Sequence, residues 1–356
     1  MNAEVEIITS MMSYLTLLAG LGILLFCGDL LVRGAIGLAE KLGIPAIIIG
    51  LTVVAFGTSA PEMVVSVRAA LAGAPGIAVG NVVGSNIANI LLVLGLPAII
   101  SATQCNQPLV ARNAFYVLGA SLLFTAMCFA GPLTTWHGVV LLVLLFMFLF
   151  VSGKAIVDEP CREETQEEID AIEGVVGVPH SNFVMIAFLV VGLIGLPIGA
   201  HFTVEGAQVI ARAWNVSEAA IGLTVIALGT TLPELVTALI AVKRGECGLA
   251  LGNVLGSNLF NILAIMGVTA VVTPIEIPEQ ILHMDLWVMI AVTLLVFPFA
   301  LGHFTLTRLP ALAFVAAYIA YLAFAISPHM EATMSDESQS NSQNLSYANN
   351  ALSGHE

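Results

Sequence analysis

Apolar residues in this chain run in long unbroken blocks instead of alternating with polar ones at the two-residue period of a strand or the 3.6-residue period of a surface helix. Blocks long enough to cross about 30 Å of hydrocarbon as helices lie near 13–32, 45–72, 77–100, 113–130 and 137–152. Five more lie near 183–211, 217–242, 249–273, 284–301 and 309–327. A polar stretch, 153–182, separates the two sets of five. The residues from 328 to 356 are polar and low in complexity, a composition expected to stay disordered. The pattern predicts an all-α polytopic membrane protein of ten transmembrane helices.

Two of the blocks carry what a membrane helix ordinarily avoids at its centre. The second contains "GTSAPE" (Gly57 to Glu62) and the seventh "GTTLPE" (Gly229 to Glu234), 172 residues later. Laying Gly50–Gly95 over Gly222–Gly267 gives identity at about half the positions without a gap. Each set holds an odd number of helices, so the two copies must lie in the membrane with opposite sense. The expected organisation is therefore two inverted five-helix repeats, 1–152 and 183–327, with repeated cores at 50–95 and 222–267. Inverted repeats of this kind are a mark of secondary transporters, whose sites form where matching helices are interrupted.

Composition agrees: 58% of the 356 residues are hydrophobic and 10% charged, which excludes an ordinary soluble domain. The acidic start "MNAEVEIITS" lacks the basic region of a cleaved signal peptide. The net charge of −14 would suit a cationic partner, but eight acidic residues lie in "DEPCREETQEEIDAIE" (Asp158 to Glu173) and four in the tail. Most of the acidity is thus solvated loop, without the ligand spacing of a calcium-binding EF-hand. The five cysteines form no CxxC pair and the seven histidines no HxxxH pair, so neither a disulfide framework nor a zinc site is expected. No phosphate-binding GxxxxGK[ST] loop occurs, so no nucleotide is expected to drive transport, and no nucleic-acid partner is expected. With the N-terminus outside, eight of the ten Lys and Arg residues fall at cytoplasmic ends. Both termini are then extracytoplasmic and the acidic central loop cytoplasmic, in a multi-pass protein of the inner cell membrane. A monomer is expected.

The chemistry follows from the interruptions. Pro61 and Pro233 cannot donate to the carbonyls of Gly57 and Gly229, which frees acceptors at membrane depth. Glu62 and Glu234 add carboxylates that cost several kcal/mol in hydrocarbon unless paired or bound to a cation, and no Lys or Arg lies mid-helix to pair with them. Thr58 with Glu62 and Thr230 with Glu234 are four apart and share a helix face. The next helices carry "GNVVGSNIAN" (Gly80 to Asn89) and "GNVLGSNLFN" (Gly252 to Asn261), in which Ser85 with Asn89 and Ser257 with Asn261 repeat that spacing. Carboxylates, carbonyls, hydroxyls and amides make an all-oxygen cage suited to a hard cation such as Ca²⁺. Asn81, Asn86, Asn253 and Asn258 read as capping or interhelical groups, and Ser66 as packing. Asp29 with Arg33, and His201 with Glu205, read as i, i+4 pairs, with gating as the alternative.

These paired blocks resemble the two alpha-repeats of the sodium/calcium exchanger family, and the ten-helix layout extends the resemblance over nearly the whole chain. It implies antiport, typically three Na⁺ for one Ca²⁺, by alternating access, with the ions as substrates, no cofactor and no enzyme activity. It also implies that Glu62 and Glu234, with the carbonyls of Thr58 and Thr230, hold Ca²⁺. Ser59, Thr231, Ser85, Ser257, Asn89 and Asn261, with the carbonyls of Ala55 and Ala227, would form flanking Na⁺ sites. Thr231 stands where many members have serine. Asn261 stands where others have aspartate, which argues for potassium independence. The competing readings are a proton-driven or other divalent-cation exchanger of the same fold, a passive cation channel, and an intramembrane metalloenzyme.

Overall fold

A computed structural model describes residues 2–101, 108–158, 178–179, 181–214, 227–302 and 305–325. Residues 217–226 of the expected seventh helix, nearly all of the acidic segment and the tail from 328 lie outside these. Helices stand at each of the ten expected positions. They are α1 (Asn2–Leu42), α2 in two halves (Ala46–Thr58 and Ala60–Leu71), α3 (Pro75–Ile100), α4 (Pro108–Ala130) and α5 (Thr135–Asp158). Then come α6 (Asn182–Ala213), α7 (Ala227–Lys243), α8 (Cys247–Val272), α9 (Ile281–Ala300) and α10 (Arg308–Ala325). Eight are long and apolar enough to cross a bilayer, the two halves of α2 together make a ninth, and α7 is described over 17 residues. Among the described residues, Leu133 and Ile275 form an isolated antiparallel β-bridge between helices.

The first helix exceeds its expected span of 13–32 because nothing between Val32 and Leu42 stops it; Gly43, at φ 63°, does. There Ile44 N–H reaches the Ala39 carbonyl and Gly43 N–H the Glu40 carbonyl, each at 3.0 Å. This glycine-dependent stop satisfies carbonyls that a helix end would orphan. The same pair of bonds closes α2 at Gly73 (φ 77°) and α7 at Gly245 (φ 84°), two glycines 172 residues apart. The repeat thus extends to the backbone turns.

Contacts between equivalent helices show the inversion. Gly206, Gly199 and Gly192 of α6 lie against Leu17, Leu24 and Leu31 of α1, so the two helices run antiparallel. Ring contacts of Phe115 with Phe297 (4.8 Å) and Phe129 with Trp287 (5.9 Å) make α4 and α9 antiparallel as well. Conversely α2 and α8, which are not equivalent, run parallel, with Gly252 on Ile47 and Gly256 on Leu51. Lipid supplies no hydrophobic drive between helices, so close backbone approach at small residues holds such pairs. A Cβ on Gly50 would sit 2.6 Å from the Leu249 carbonyl oxygen, and one on Gly256 2.7 Å from that of Leu51.

Two π-helical turns also fall at equivalent places, Asn89–Val93 and Asn261–Ile265. In each, the asparagine carbonyl accepts an N–H five residues on, from Leu94 and Met266. A single wide turn inside a helix is often found at a functional site.

The α2–α8 contact predicts that Gly50→Val lowers thermal stability in detergent, with a cost of about 1–3 kcal/mol for overpacking. Gly22→Ala, at a position where a Cβ meets nothing within 4 Å, should leave the melting temperature unchanged or slightly higher. Equal melting of the two variants would contradict the packing described.

Candidate ion site

At the centre of the bundle, Pro61 withholds the N–H that would carry α2 through its middle, and the halves meet at 43° around Ser59 (φ −81°, ψ 3°). The second interruption expected from the sequence does not take this form. From Ala227 onward α7 runs as one helix with Pro233 inside it, and Thr237 Oγ1 donates to the Pro233 carbonyl at 2.7 Å. Proline in a helix interior removes one bond and need not break the helix. The i, i+4 argument for Thr58 and Glu62 assumed a continuous helix. The bend intervenes, yet both side chains are buried.

Glu62 and Glu234 are 1% and 0% exposed, and among the described residues neither has a cationic partner. Ser59 Oγ donates to Glu234 Oε1 across the repeats at 3.3 Å, and Ser257 Oγ reaches the same oxygen at 3.5 Å. Thr58 Oγ1 lies 3.2 Å from Asn253 Oδ1 and 3.4 Å from Ser257 Oγ. Helices α2, α7 and α8 therefore meet around one carboxylate. On the other side, Asn81 Nδ2 donates to the Glu62 carbonyl (3.2 Å) and to Ser66 Oγ (3.0 Å), tying α3 to α2. Ser66 is thus used in packing, as expected.

Four asparagines close the arrangement between α3 and α8. Asn86 Nδ2 donates to the Asn258 carbonyl (3.4 Å) and Asn258 Nδ2 to the Asn86 carbonyl (3.3 Å). Asn89 Nδ2 donates to Asn258 Oδ1 and Asn261 Nδ2 to Asn86 Oδ1, both at 3.0 Å. Each bond is matched by one 172 residues away, the relation an internal two-fold axis requires. It makes Asn86 and Asn258 interhelical groups, as the sequence suggested.

Four buried oxygens at this centre have no hydrogen-bond partner, Glu62 Oε2, Glu234 Oε2, Asn89 Oδ1 and Asn261 Oδ1; three more, Asn113 Oδ1, Ser121 Oγ and Thr125 Oγ1, lie on α4 and have no unpartnered counterpart 172 residues on. The central four form two equivalent pairs, one from the two proline segments and one from the two π turns. Buried acceptors without donors are costly, and a hard cation is the partner such oxygens suit. No cluster of three or more His, Cys, Asp or Glu side chains occurs among the described residues, so any cage here must draw further ligands from neutral oxygens. Ser85, Thr230 and Thr231 are buried on the same helices. The Ala55 carbonyl already accepts the Ser59 N–H at 3.0 Å, and Ala227 is the first described residue of α7.

An inverted helical bundle with surplus buried oxygens at its centre fits the class of membrane cation transporters. The family model described as sodium/calcium exchanger protein matches residues 12–154 and 184–327. The inner membrane protein YrbG of Escherichia coli (strain K12) is 36% identical over 283 residues, 78% of this chain and 86% of YrbG. The sodium/calcium exchanger MaX1 of Methanosarcina acetivorans is 31% identical, covering 87% of this chain and 97% of MaX1. A solved structure of the sodium-calcium exchanger NCX_Mj, soaked with Na⁺ and Ca²⁺, superposes with a TM-score of 0.74 at 33% identity, covering 88% of this chain and 98% of that one. The chain belongs to the sodium/calcium exchanger family, whose members are transporters and not enzymes.

Two carboxylate contacts are among those that escaped the sequence. Asp29 pairs with Arg33 (2.7 Å) as its spacing suggested, but also with Arg244, just beyond α7. A contact across 215 residues leaves no local signal. A further buried carboxylate, Asp285 of α9, accepts a hydrogen bond from Tyr321 Oη of α10 at 3.1 Å. His201 and Glu205 lie 3.8 Å apart on an exposed face of α6.

The Thr58 contacts predict that Thr58→Val destabilises the folded protein by about 1–3 kcal/mol, since it leaves the buried Asn253 amide without its hydroxyl partner. Thr52→Val, which removes only a bond to the Ile48 carbonyl of its own helix, should cost less. Paired melting curves in detergent would check the order of the two.

Proposed function

We propose that this protein exchanges Na⁺ for Ca²⁺ across the inner cell membrane by alternating access. The observation that carries the reading is the four unpartnered buried oxygens at the centre, supplied in equivalent pairs by the two repeats. Glu62 and Glu234 act as central ligands to Ca²⁺, joined by the backbone carbonyls of Thr58 and Thr230. Na⁺ takes flanking positions bounded by Ser59, Ser85, Asn89 and the Ala55 carbonyl, and by Thr231, Ser257, Asn261 and the Ala227 carbonyl. Two carboxylates balance one Ca²⁺, and neutral hydroxyl and amide oxygens suit Na⁺. Family membership and the name of MaX1 support the choice of ions.

A ratio of three Na⁺ to one Ca²⁺ moves one net charge per cycle. About 2.3 kcal/mol per 100 mV of membrane potential then adds to the Na⁺ gradient, and extrusion of Ca²⁺ is the working direction. The distribution of Lys and Arg supports extracytoplasmic termini. Asn261, neutral where some members carry aspartate, supports potassium independence.

The reading predicts uptake of radiolabelled Ca²⁺ by Na⁺-loaded proteoliposomes diluted into Na⁺-free buffer. Uptake that persists without a Na⁺ gradient would replace antiport with a channel or with another coupling ion. Glu62→Gln and Glu234→Gln should each reduce uptake to background while the protein still inserts and elutes as a single species. Near-normal exchange by either variant would refute the central site.

A further inference from the structure

We propose that Asn86 and Asn258 are positioning residues that lock the side-chain amides of Asn89 and Asn261 so that each offers its oxygen, and not its N–H₂, to Na⁺. The inference deepens the proposed function and rests on its reading of Asn89 and Asn261 as ligands. An asparagine amide ends in an oxygen and a nitrogen of nearly equal size, and only its hydrogen-bond partners decide which way it faces. Turned the wrong way, it would present two N–H groups to a cation.

The choice here is anchored at atoms that have no choice. A backbone carbonyl oxygen can only accept. The Asn258 carbonyl, 3.4 Å from the end of the Asn86 side chain, therefore fixes that atom as Nδ2. The sulfur of Met289, 3.7 Å from the same nitrogen, is a second acceptor on that side. The other terminal atom of Asn86 must then be Oδ1, and it lies 3.0 Å from the Asn261 amide. Two oxygens at that distance would repel, so Asn261 presents Nδ2 to Asn86 and its own Oδ1 points away. That oxygen is one of the four central buried acceptors without a partner.

The second copy runs by the same logic. The Asn86 carbonyl fixes Asn258 Nδ2, Asn258 Oδ1 fixes Asn89 Nδ2, and Asn89 Oδ1 is left over. Turning either ligand amide over would cost a hydrogen bond and place acceptor against acceptor. The network also accounts for asparagine at 261: a carboxylate there has no N–H to give Asn86 Oδ1, and the chain of bonds would have to be rebuilt.

The test is a double-mutant cycle in proteoliposomes, with the half-saturating Na⁺ and Ca²⁺ concentrations measured separately. N261A should raise half-saturating Na⁺, which checks the ligand reading by itself. N86L, which can neither donate nor accept, should raise it about fivefold, the effect of one lost orienting bond, with Ca²⁺ half-saturation little changed. Added to N261A, N86L should change nothing further, because it acts only through that side chain. The second copy, N258L with N89A, gives an independent cycle should N86L fail to fold. Effects that multiply in the double variants, or a normal Na⁺ dependence in N86L beside an altered one in N261A, would overturn the positioning role and leave the ligand reading intact. A normal Na⁺ dependence in N261A would remove both.

Discussion

A membrane interior has no water to lend, so every buried oxygen must find a donor or a cation, and that rule organises this molecule. Most oxygens find donors nearby. Helix carbonyls bond along their own helices, the carbonyls at the ends of α1, α2 and α7 are closed by glycine turns, and hydroxyls such as Thr237 and Thr269 bond one turn back. Three exceptions, Asn113, Ser121 and Thr125, lie along α4; the four that come in equivalent pairs lie where the proline and π-turn segments of one repeat meet their counterparts from the other. The inverted duplication brings the shortfall together twice over, and glycines on α2 and α8 let the backbones come close enough to share it.

The sequence made the centre of this arrangement legible because chemistry out of place in lipid is conspicuous. Glutamates without cationic neighbours, prolines in apolar blocks and a half-identical second copy pointed to Glu62, Glu234 and the two serine-asparagine helices. The inversion could be counted from odd numbers of helices. Helix lengths were less legible: α1 runs well past 32 because apolarity marks where lipid is, not where a helix must stop.

What stayed hidden depends on tertiary contact. The repeats are nearly alike around their prolines, yet α2 bends at Ser59 while α7 passes through Pro233 unbroken from Ala227. Proline states only that one bond is missing, and the surroundings decide whether the helix yields. The second partner of Asp29 and the Asp285–Tyr321 contact likewise join residues far apart in sequence. The asparagine quartet lay between these extremes: its residue types were visible and its interhelical role expected, but the reciprocal bonding needed coordinates.

Among the described residues no lysine or arginine lies beside the two central glutamates. A transporter that kept a cationic side chain there could neutralise its own site and turn over empty, as a simple carrier does. On the proposed reading, an empty cage with both carboxylates ionised carries about two uncompensated negative charges, which are costly to move through a medium of low dielectric. The loaded cage faces no such barrier. The two carboxylates proposed to hold Ca²⁺ would then also disfavour an empty return, which protons or other cations must neutralise.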